Sequence, residues 1–312
     1  MATAASFLND LERFGPEYEP AAPLSLEASR AYCQRLTAGH YENFSVVTAL
    51  TPRELRPHFA SVYAFCRWSD DLGDEVGDPE QSKRLLQWWL GELEYLYNQS
   101  RATHPVMIAL GETIREFAIP IDPFAALISA FQQDQAVTRY DTRGQLLDYC
   151  KRSANPVGHL VLYLGRAFET ENARLSDLTC TGLQLANFWQ DVARDLAIGR
   201  VYLPRDDMDR FGYSDRDLQS LRFNPAFRSL LKEEVGFARS LLREGQGLIP
   251  RLPGKLAMSV DLFNRGGLAI LDRIVAQDFN VLDSRPVLSR FDKLDLVARA
   301  LLASLARRVQ RR

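Results

Sequence analysis

Cysteine is scarce in this chain: Cys33, Cys66, Cys150 and Cys180 stand far apart and never form a C-x-x-C pair. That excludes a disulfide scaffold, and the four read as reduced core residues of a cytoplasmic protein. Histidine is as rare. The residues three before His40, His58, His104 and His159 are Thr37, Leu55, Arg101 and Pro156, so the Glu-x-x-His pairs of a di-iron bundle are missing, as is any zinc spacing. No run approaches the ~18 consecutive apolar residues of a membrane span. The start, "MATAASFLNDLERFG", lacks the basic residues and long apolar stretch of a signal peptide. A lipid substrate would therefore be met at the surface or in a pocket. With a formal net charge of -2 and scattered Lys and Arg, the chain offers no broad basic field, and no nucleic-acid partner is expected. "GLIPRLPG" and "NRGG" match neither a P-loop nor a dinucleotide fingerprint.

What the chain has is helical periodicity. Its 312 residues, 46% hydrophobic and 25% charged, can bury a large core. Helices are predicted near Ser25–Leu36, Pro52–Glu75, Ser82–Asn98, Pro105–Phe117, Pro123–Thr138, Arg143–Gly165, Leu175–Ile198, Asp215–Ser220, Pro225–Leu248 and Lys255–Gln277, with a last one from Asp292 to the tail. Proline at several of these starts fits its preference for the first turn. Neither a Gly/Ser linker nor an internal repeat is seen, so the expected architecture is a single all-α domain over 1–312, with 1–24 and 305–312 as flexible termini. The most loop-like segment, Ile198 to Ser214, is expected to be a surface connection or a lid. The basic end "ARRVQRR" reads as a solvated terminus, with attraction to anionic lipid headgroups as the lesser alternative.

Two helices carry a polar stripe. In "FASVYAFCRWSDDLGDE", Tyr63, Arg67, Asp70 and Asp74 are spaced 4, 3, 4, which at 3.6 residues per turn puts them in one line on an otherwise apolar rod. In "LQLANFWQDVARDL", Gln184, Asn187, Asp191 and Asp195 repeat the pattern at 3, 4, 4. Rods apolar around most of their circumference belong inside a protein, so each stripe faces either a narrow slot to solvent or a shared polar cavity. An Asp pair at i, i+4 is, taken alone, more often a solvated face. Two such pairs on buried helices repel one another unless protonated or met by cations. Oxygen ligands without His or Cys beside them favour a hard ion such as Mg²⁺.

These residues resemble the squalene and phytoene synthases, which join or rearrange isoprenyl diphosphates within one all-α domain. "YAFCRWSDDLGD" and "QLANFWQDVARD" are similar to that family's two aspartate-rich motifs. "GRVYLP" after the second, Tyr149 and Cys150 in "LLDYCKRSANPVG", and Arg285 in "VLDSRP" extend the likeness over roughly 40–286. The resemblance implies an isoprenoid synthase bundle around a central cavity. It also implies Mg²⁺ on Asp70, Asp74, Asn187, Asp191 and Asp195, and a flap formed by the "GRVYLP" run, with Tyr202, over the diphosphate. Arg67 is the implied cationic partner of the leaving group, with Tyr63 beside it and Arg285 as a second cation. His40, Tyr41, Phe44, Tyr149 and Gln184 complete the implied substrate contacts, and the rings of Phe44, Tyr63, Phe188 and Trp189 are candidates both for carbocation stabilisation and for plain core packing.

"HYENF" at His40–Phe44 replaces the family's usual His-Ser-x-Ser-Phe run, so a grip on a second diphosphate is weakened. In this the chain resembles the hydroxysqualene synthases of bacterial hopanoid and squalene pathways. That likeness implies presqualene diphosphate from a sister synthase as substrate, capture of the rearranged cation by water, no NADPH, and peripheral membrane contact. Gln190, where an Arg is frequent, and Gly267, where an aromatic is common, are two further departures. The alternatives are a head-to-head prenyl transferase making presqualene diphosphate, squalene or phytoene, and a non-catalytic helical assembly protein.

Overall fold

The computed structural model describes residues 2–18, 24–39, 53–99 and 102–310, and among them the chain is helical with no strand. The helices are α1 (Ala2–Phe14), α2 (Leu26–Gly39), α3 (Arg56–Asp74), α4 (Pro79–Gln99), α5 (Pro105–Phe117), α6 (Asp122–Asp134) and α7 (Arg143–Ser153). They continue as α8 (Asn155–Leu164), α9 (Thr170–Ala197), α10 (Arg205–Phe211), α11 (Asp215–Gln219), α12 (Pro225–Gly245), α13 (Gly254–Ala276) and α14 (Arg290–Gln310).

Three predicted elements need correction. A helix, α1, precedes Ser25, where flexible chain was expected; Phe7 packs edge-on against Trp68 at 5.3 Å and Phe14 against Tyr32 at 5.2 Å. The predicted helix Arg143–Gly165 is broken at Ala154, because Pro156 has no N–H for a continuous ladder, and α8 restarts beside it. The expected loop 198–214 contains α10, which ends on Gly212 in the left-handed region at φ 69°.

The chain divides into two compact units, Met1–Ala136 with His159–Arg166, and Val137–Gly158 with Ala167–Arg312. In the first, α3 is anchored by an aromatic cluster. Trp68 and Trp89 stack at 5.4 Å, Phe65 stacks on Trp89 at 5.6 Å, and His104 sits edge-on to Trp68 at 4.4 Å. The indole N–H groups are matched: Trp89 donates to Ser69 Oγ (3.0 Å) and Trp68 to the Tyr32 hydroxyl (3.1 Å), which donates to Asp10 (2.8 Å). His104 caps α5 by accepting from the Val106 N–H, and burial holds its imidazole down at about 3, neutral at any working pH. Each fully buried indole removes on the order of 150–250 Å² from water, roughly 4–6 kcal/mol of transfer free energy. This cluster fixes the rotation of α3: Phe65, Trp68, Ser69 and Leu72 point inward, and the positions left partly exposed are set by default.

In the second unit, α9 is held by close approach of α12 and α13. A Cβ on Gly182 would stand 2.8 Å from Leu242, one on Gly245 2.3 Å from Thr179 Oγ1, and one on Gly267 2.7 Å from Leu183. Glycine at these contacts lets neighbouring helices pack closely. An aromatic residue at Gly267 could not be seated here without moving Leu183 and Leu242.

Candidate functional site

On α3, the partly exposed or exposed positions from Tyr63 onward are Tyr63, Cys66, Arg67, Asp70, Gly73 and Asp74; the residues between them are buried. The predicted stripe is therefore the accessible edge of an otherwise packed rod. Its chemistry differs from expectation at one position. Arg67 is engaged by Asp71, a residue outside the predicted set: the guanidinium Nε donates to Asp71 at 2.9 Å, its Nη2 to the other carboxylate oxygen, and Nη1 approaches Asp70 at 3.6 Å. Asp71 is 5% exposed, and burial pushes its carboxyl up to about 6 despite the arginine. Burial also raises the Tyr63 phenol, so it stays a neutral donor at physiological pH.

On α9 the same edge effect appears. Gln184, Asn187, Asp191 and Asp195 are accessible to some degree, while Leu185, Ala186, Phe188, Trp189, Gln190 and Val192 are buried. Arg285 closes on Asp191 with both ends of its fork, Nε to Oδ1 at 2.5 Å and Nη2 to Oδ2 at 2.9 Å. That bidentate grip raises the Arg285 pKa further. The segment carrying Arg285 is tied to the same helix by Gln190, whose side-chain amide donates to the Pro286 carbonyl at 2.5 Å. One turn on, Asp195 is pushed up to about 7 by burial and then by the charge of Asp191, with Arg200, Arg194 and Arg285 opposing.

The "GRVYLP" run is stitched to the chain preceding α7. Val201 N–H donates to the Thr138 carbonyl (2.8 Å), Arg205 N–H to Tyr140 (3.1 Å) and Asp206 N–H to Asp141 (2.9 Å). Gly199, at φ 80°, supplies the left-handed turn that ends α9. Tyr202 is laid by this run face to face on Phe188, 3.7 Å between centroids at 11°, with Tyr140 and Tyr149 stacked alongside at 5.9 and 6.2 Å. A small part-open recess of about 10 Å³, room for about one water, lies here, lined by residues that include Phe188, Asp195, Arg200 and Tyr202.

Among the ring candidates, Trp189 is wholly buried and serves the core, and Tyr202 covers a face of Phe188. Tyr149 is 5% exposed within the stack. His40, Tyr41 and Phe44 lie outside the described residues. The structure brings Asp191, Asp195, Arg285, Tyr149 and Tyr202 into one unit, and Tyr63, Arg67, Asp70 and Asp74 into the other. Sequence reasoning missed Asp71 and the buried group formed by Arg143, Asp207 and Glu234. The first was findable, since Asp71 is four residues after Arg67; the second draws on three separate helices.

Comparison with known proteins adds the following. The squalene/phytoene synthase family matches residues 37–292. The phytoene synthase of Thermus thermophilus is 31% identical over 284 residues, covering 90% of this chain and 96% of that one. The 15-cis-phytoene synthase of Synechocystis is 29% identical, covering 90% of this chain and 86% of its own. Among solved structures, squalene synthase HpnC from Alicyclobacillus acidocaldarius superposes with a TM-score of 0.79 at 45% identity, covering 83% of this chain and 97% of that chain. A dehydrosqualene synthase at 22% identity and a TM-score of 0.81 shares the fold.

Proposed function

From a chain that belongs to the squalene/phytoene synthase family, and is thus an isoprenoid synthase acting on a prenyl diphosphate, we propose a hydroxysqualene synthase. Its substrate is presqualene diphosphate, supplied by a sister synthase. The C–O bond to diphosphate breaks, the cyclopropylcarbinyl cation rearranges, and water adds to it with loss of a proton, giving hydroxysqualene and diphosphate. No reductant enters that balance, so NADPH is not required. One domain over 1–312 and a cytoplasmic location complete the reading.

The observation that carries it is that two helices, buried elsewhere, each expose one edge bearing paired aspartates and an arginine-held carboxylate. Two features support the hydroxysqualene branch: the 45% identity to squalene synthase HpnC, and "HYENF" in place of a basic, hydroxylic grip on a second diphosphate.

The residues at these edges fit a hard dication. The donors are all oxygen, and Asp191 and Asp195 stand one turn apart on the accessible edge of α9. Asp70 and Asp74 on α3, and Asn187, Asp191 and Asp195 on α9, would hold Mg²⁺. When bound, it supplies Lewis acidity toward the leaving diphosphate.

The chain's own side chains set the rest. Arg67, oriented by its fork on Asp71, turns Nη1 toward the Asp70 end of the α3 edge, where its remaining N–H groups would meet the diphosphate. Arg285 fixes the orientation of Asp191, and Gln190 fixes Arg285 by holding the next residue's carbonyl. The Phe188–Tyr202 stack forms an apolar wall of the small recess that Asp195 also lines.

Head-to-head condensation of two farnesyl or geranylgeranyl diphosphates is the second reading, favoured by the phytoene synthases at 31% and 29% identity. Incubation of the purified chain with presqualene diphosphate, with and without NADPH, followed by mass analysis, separates the two. Hydroxysqualene formed equally in both arms supports the first; turnover of farnesyl diphosphate by this chain alone rejects it.

A further inference from the structure

Water that ends a carbocation reaction in an alcohol needs a holder of a particular kind. A carboxylate or imidazole beside the cation would act as a base toward its C–H bonds and yield an alkene. A neutral donor and acceptor, buried along the substrate's path, can hold a water molecule without removing a proton from carbon.

The site face of α9 gives the direction of that path. Thr181, Gln184, Phe188, Asp191 and Asp195 follow one another at spacings of 3, 4, 3 and 4, so they lie along one line of the helix. Beyond Asp195 the helix ends within a turn at Ile198, which is 66% exposed. Diphosphate and its counter-cation would occupy the aspartate end, so the carbon that sheds them, and the apolar chain attached to it, lie toward Gln184 and Thr181. Thr181 is about 15 Å along the axis from Asp191 at 1.5 Å per residue.

There the line meets a second polar side chain. Asn155 opens α8, and Thr181 Oγ1 donates to Asn155 Oδ1 at 2.9 Å. Both residues are buried, 5% and 8% exposed. A close helix crossing fixes the contact: a Cβ on Gly158, one turn after Asn155, would stand 2.3 Å from Ser176 Oγ and 2.6 Å from the Sγ of Cys180, the residue before Thr181. Among the described residues the Asn155 amide N–H groups have no acceptor, and Thr181 Oγ1 receives no hydrogen bond. A buried amide used at one end only is completed by a water molecule.

We propose that Asn155 and Thr181 hold the water that captures the carbocation, a role that deepens the hydroxysqualene synthase reading and rests on it. An Asn155 amide N–H donates to the water oxygen, one water O–H donates to Thr181 Oγ1, and the Thr181 O–H donates to Asn155 Oδ1. The ring of hydrogen bonds is closed, and one lone pair of the water remains. The C–O bond forms as that pair is shared with the cationic carbon. The oxonium then releases one proton, which ends on the diphosphate freed in the same turnover, because neither an amide nor a hydroxyl is basic enough to keep it.

The test is product partition by the purified full-length chain, given presqualene diphosphate in ¹⁸O-labelled water, with released diphosphate counted in parallel. Wild type should form labelled alcohol in step with diphosphate. In Thr181→Val, which keeps the shape and loses the hydroxyl, and separately in Asn155→Leu, labelled alcohol per diphosphate released should fall at least tenfold, with hydrocarbons formed by proton loss in its place. Thr181→Ser should restore the alcohol. Circular dichroism checks each fold, and a variant that does not fold leaves the other to decide. A ratio of alcohol to diphosphate unchanged in the folded variants overturns the inference and leaves the hydroxysqualene reading standing, whether or not both products decline together. Wild type that forms no hydroxysqualene removes that reading and this inference with it.

Discussion

Replacing Glu234 by glutamine should flatten the dependence of stability on pH. Glu234 is fully buried on α12. Its Oε1 accepts from Arg143 Nη2 at 3.0 Å, and the same Nη2 lies 3.2 Å from Asp207, which also pairs with Arg210 at 2.6 Å. Arg143 in turn lies over the Phe237 ring at 4.9 Å. Glu234 Oε2 and Asp207 Oδ2 are buried and accept no well-aligned hydrogen bond, Arg143 Nη2 meeting Asp207 Oδ2 as an ion pair only. A proton held on Glu234 supplies one. Burial pushes Glu234 from 4.5 up to about 8, Arg143 opposing and Asp207 adding to the rise. The folded chain therefore keeps a proton that the unfolded chain releases. This contribution to stability is full below about pH 4.5, declines as pH rises, and is gone once pH passes about 8. At ~1.4 kcal/mol per pH unit the loss across that window is at most about 5 kcal/mol. Glutamine keeps an acceptor for Arg143 and a permanent donor for Asp207. Urea unfolding of both proteins from pH 5 to 8.5 should give a variant close to wild type at the acid end and more stable by at least 1 kcal/mol at the alkaline end. Parallel profiles would refute the buried proton.

Three further outcomes are expected. Gln190→Leu removes the donor to the Pro286 carbonyl and loosens the Arg285 fork on Asp191; kcat should fall at least tenfold, a loss of about 1.4 kcal/mol of transition-state stabilisation, and an unchanged kcat would reduce the contact to packing. Gly245→Ala places a Cβ 2.3 Å from Thr179 Oγ1 and 3.0 Å from its backbone nitrogen and should cost about 1–3 kcal/mol, whereas Gly236→Ala on the same helix meets nothing within 4 Å and should stabilise by about 0.5–1 kcal/mol; urea midpoints of the pair decide. Chelation with EDTA should abolish turnover and added Mg²⁺ restore it, while Asp70→Ala and Asp191→Ala should each lower turnover at least a thousandfold; full activity in both variants would refute the metal-holding role of these edges.

The stripes were legible because helical period converts spacing into direction: 4, 3, 4 and 3, 4, 4 leave one edge whatever the helices pack against, and that edge is the accessible one on α3 and α9 alike. α1 was missed although Phe7 and Phe14, seven residues apart, mark one face; a short amphipathic segment at a chain end lacks the length that makes such a pattern persuasive. The break before α8 was written in Pro156, overridden by apolar periodicity on both sides. Arg285 on Asp191, 94 residues away, and Glu234 with Arg143, 91 away, obey no period at all. Such pairs depend on how helices cross, which local pattern does not carry.

Those distant pairs explain how acidic edges persist on buried rods. Like charges one turn apart cost an exposed helix only about 0.2–0.5 kcal/mol, but partial burial raises the penalty, as the upward shifts of Asp71 to about 6 and Asp195 to about 7 register. Each unit meets the penalty in the same way. An arginine fork takes one carboxylate, Arg67 on Asp71 and Arg285 on Asp191, so that the helix folds with that charge matched. The neighbouring Asp195 is opposed by Arg200, Arg194 and Arg285, yet burial and the charge of Asp191 still push its carboxyl up to about 7. A fold that tolerates a partly buried carboxylate beside a second one keeps a local attraction for added positive charge, and this is the property that a site handling a diphosphate and its counter-cation requires.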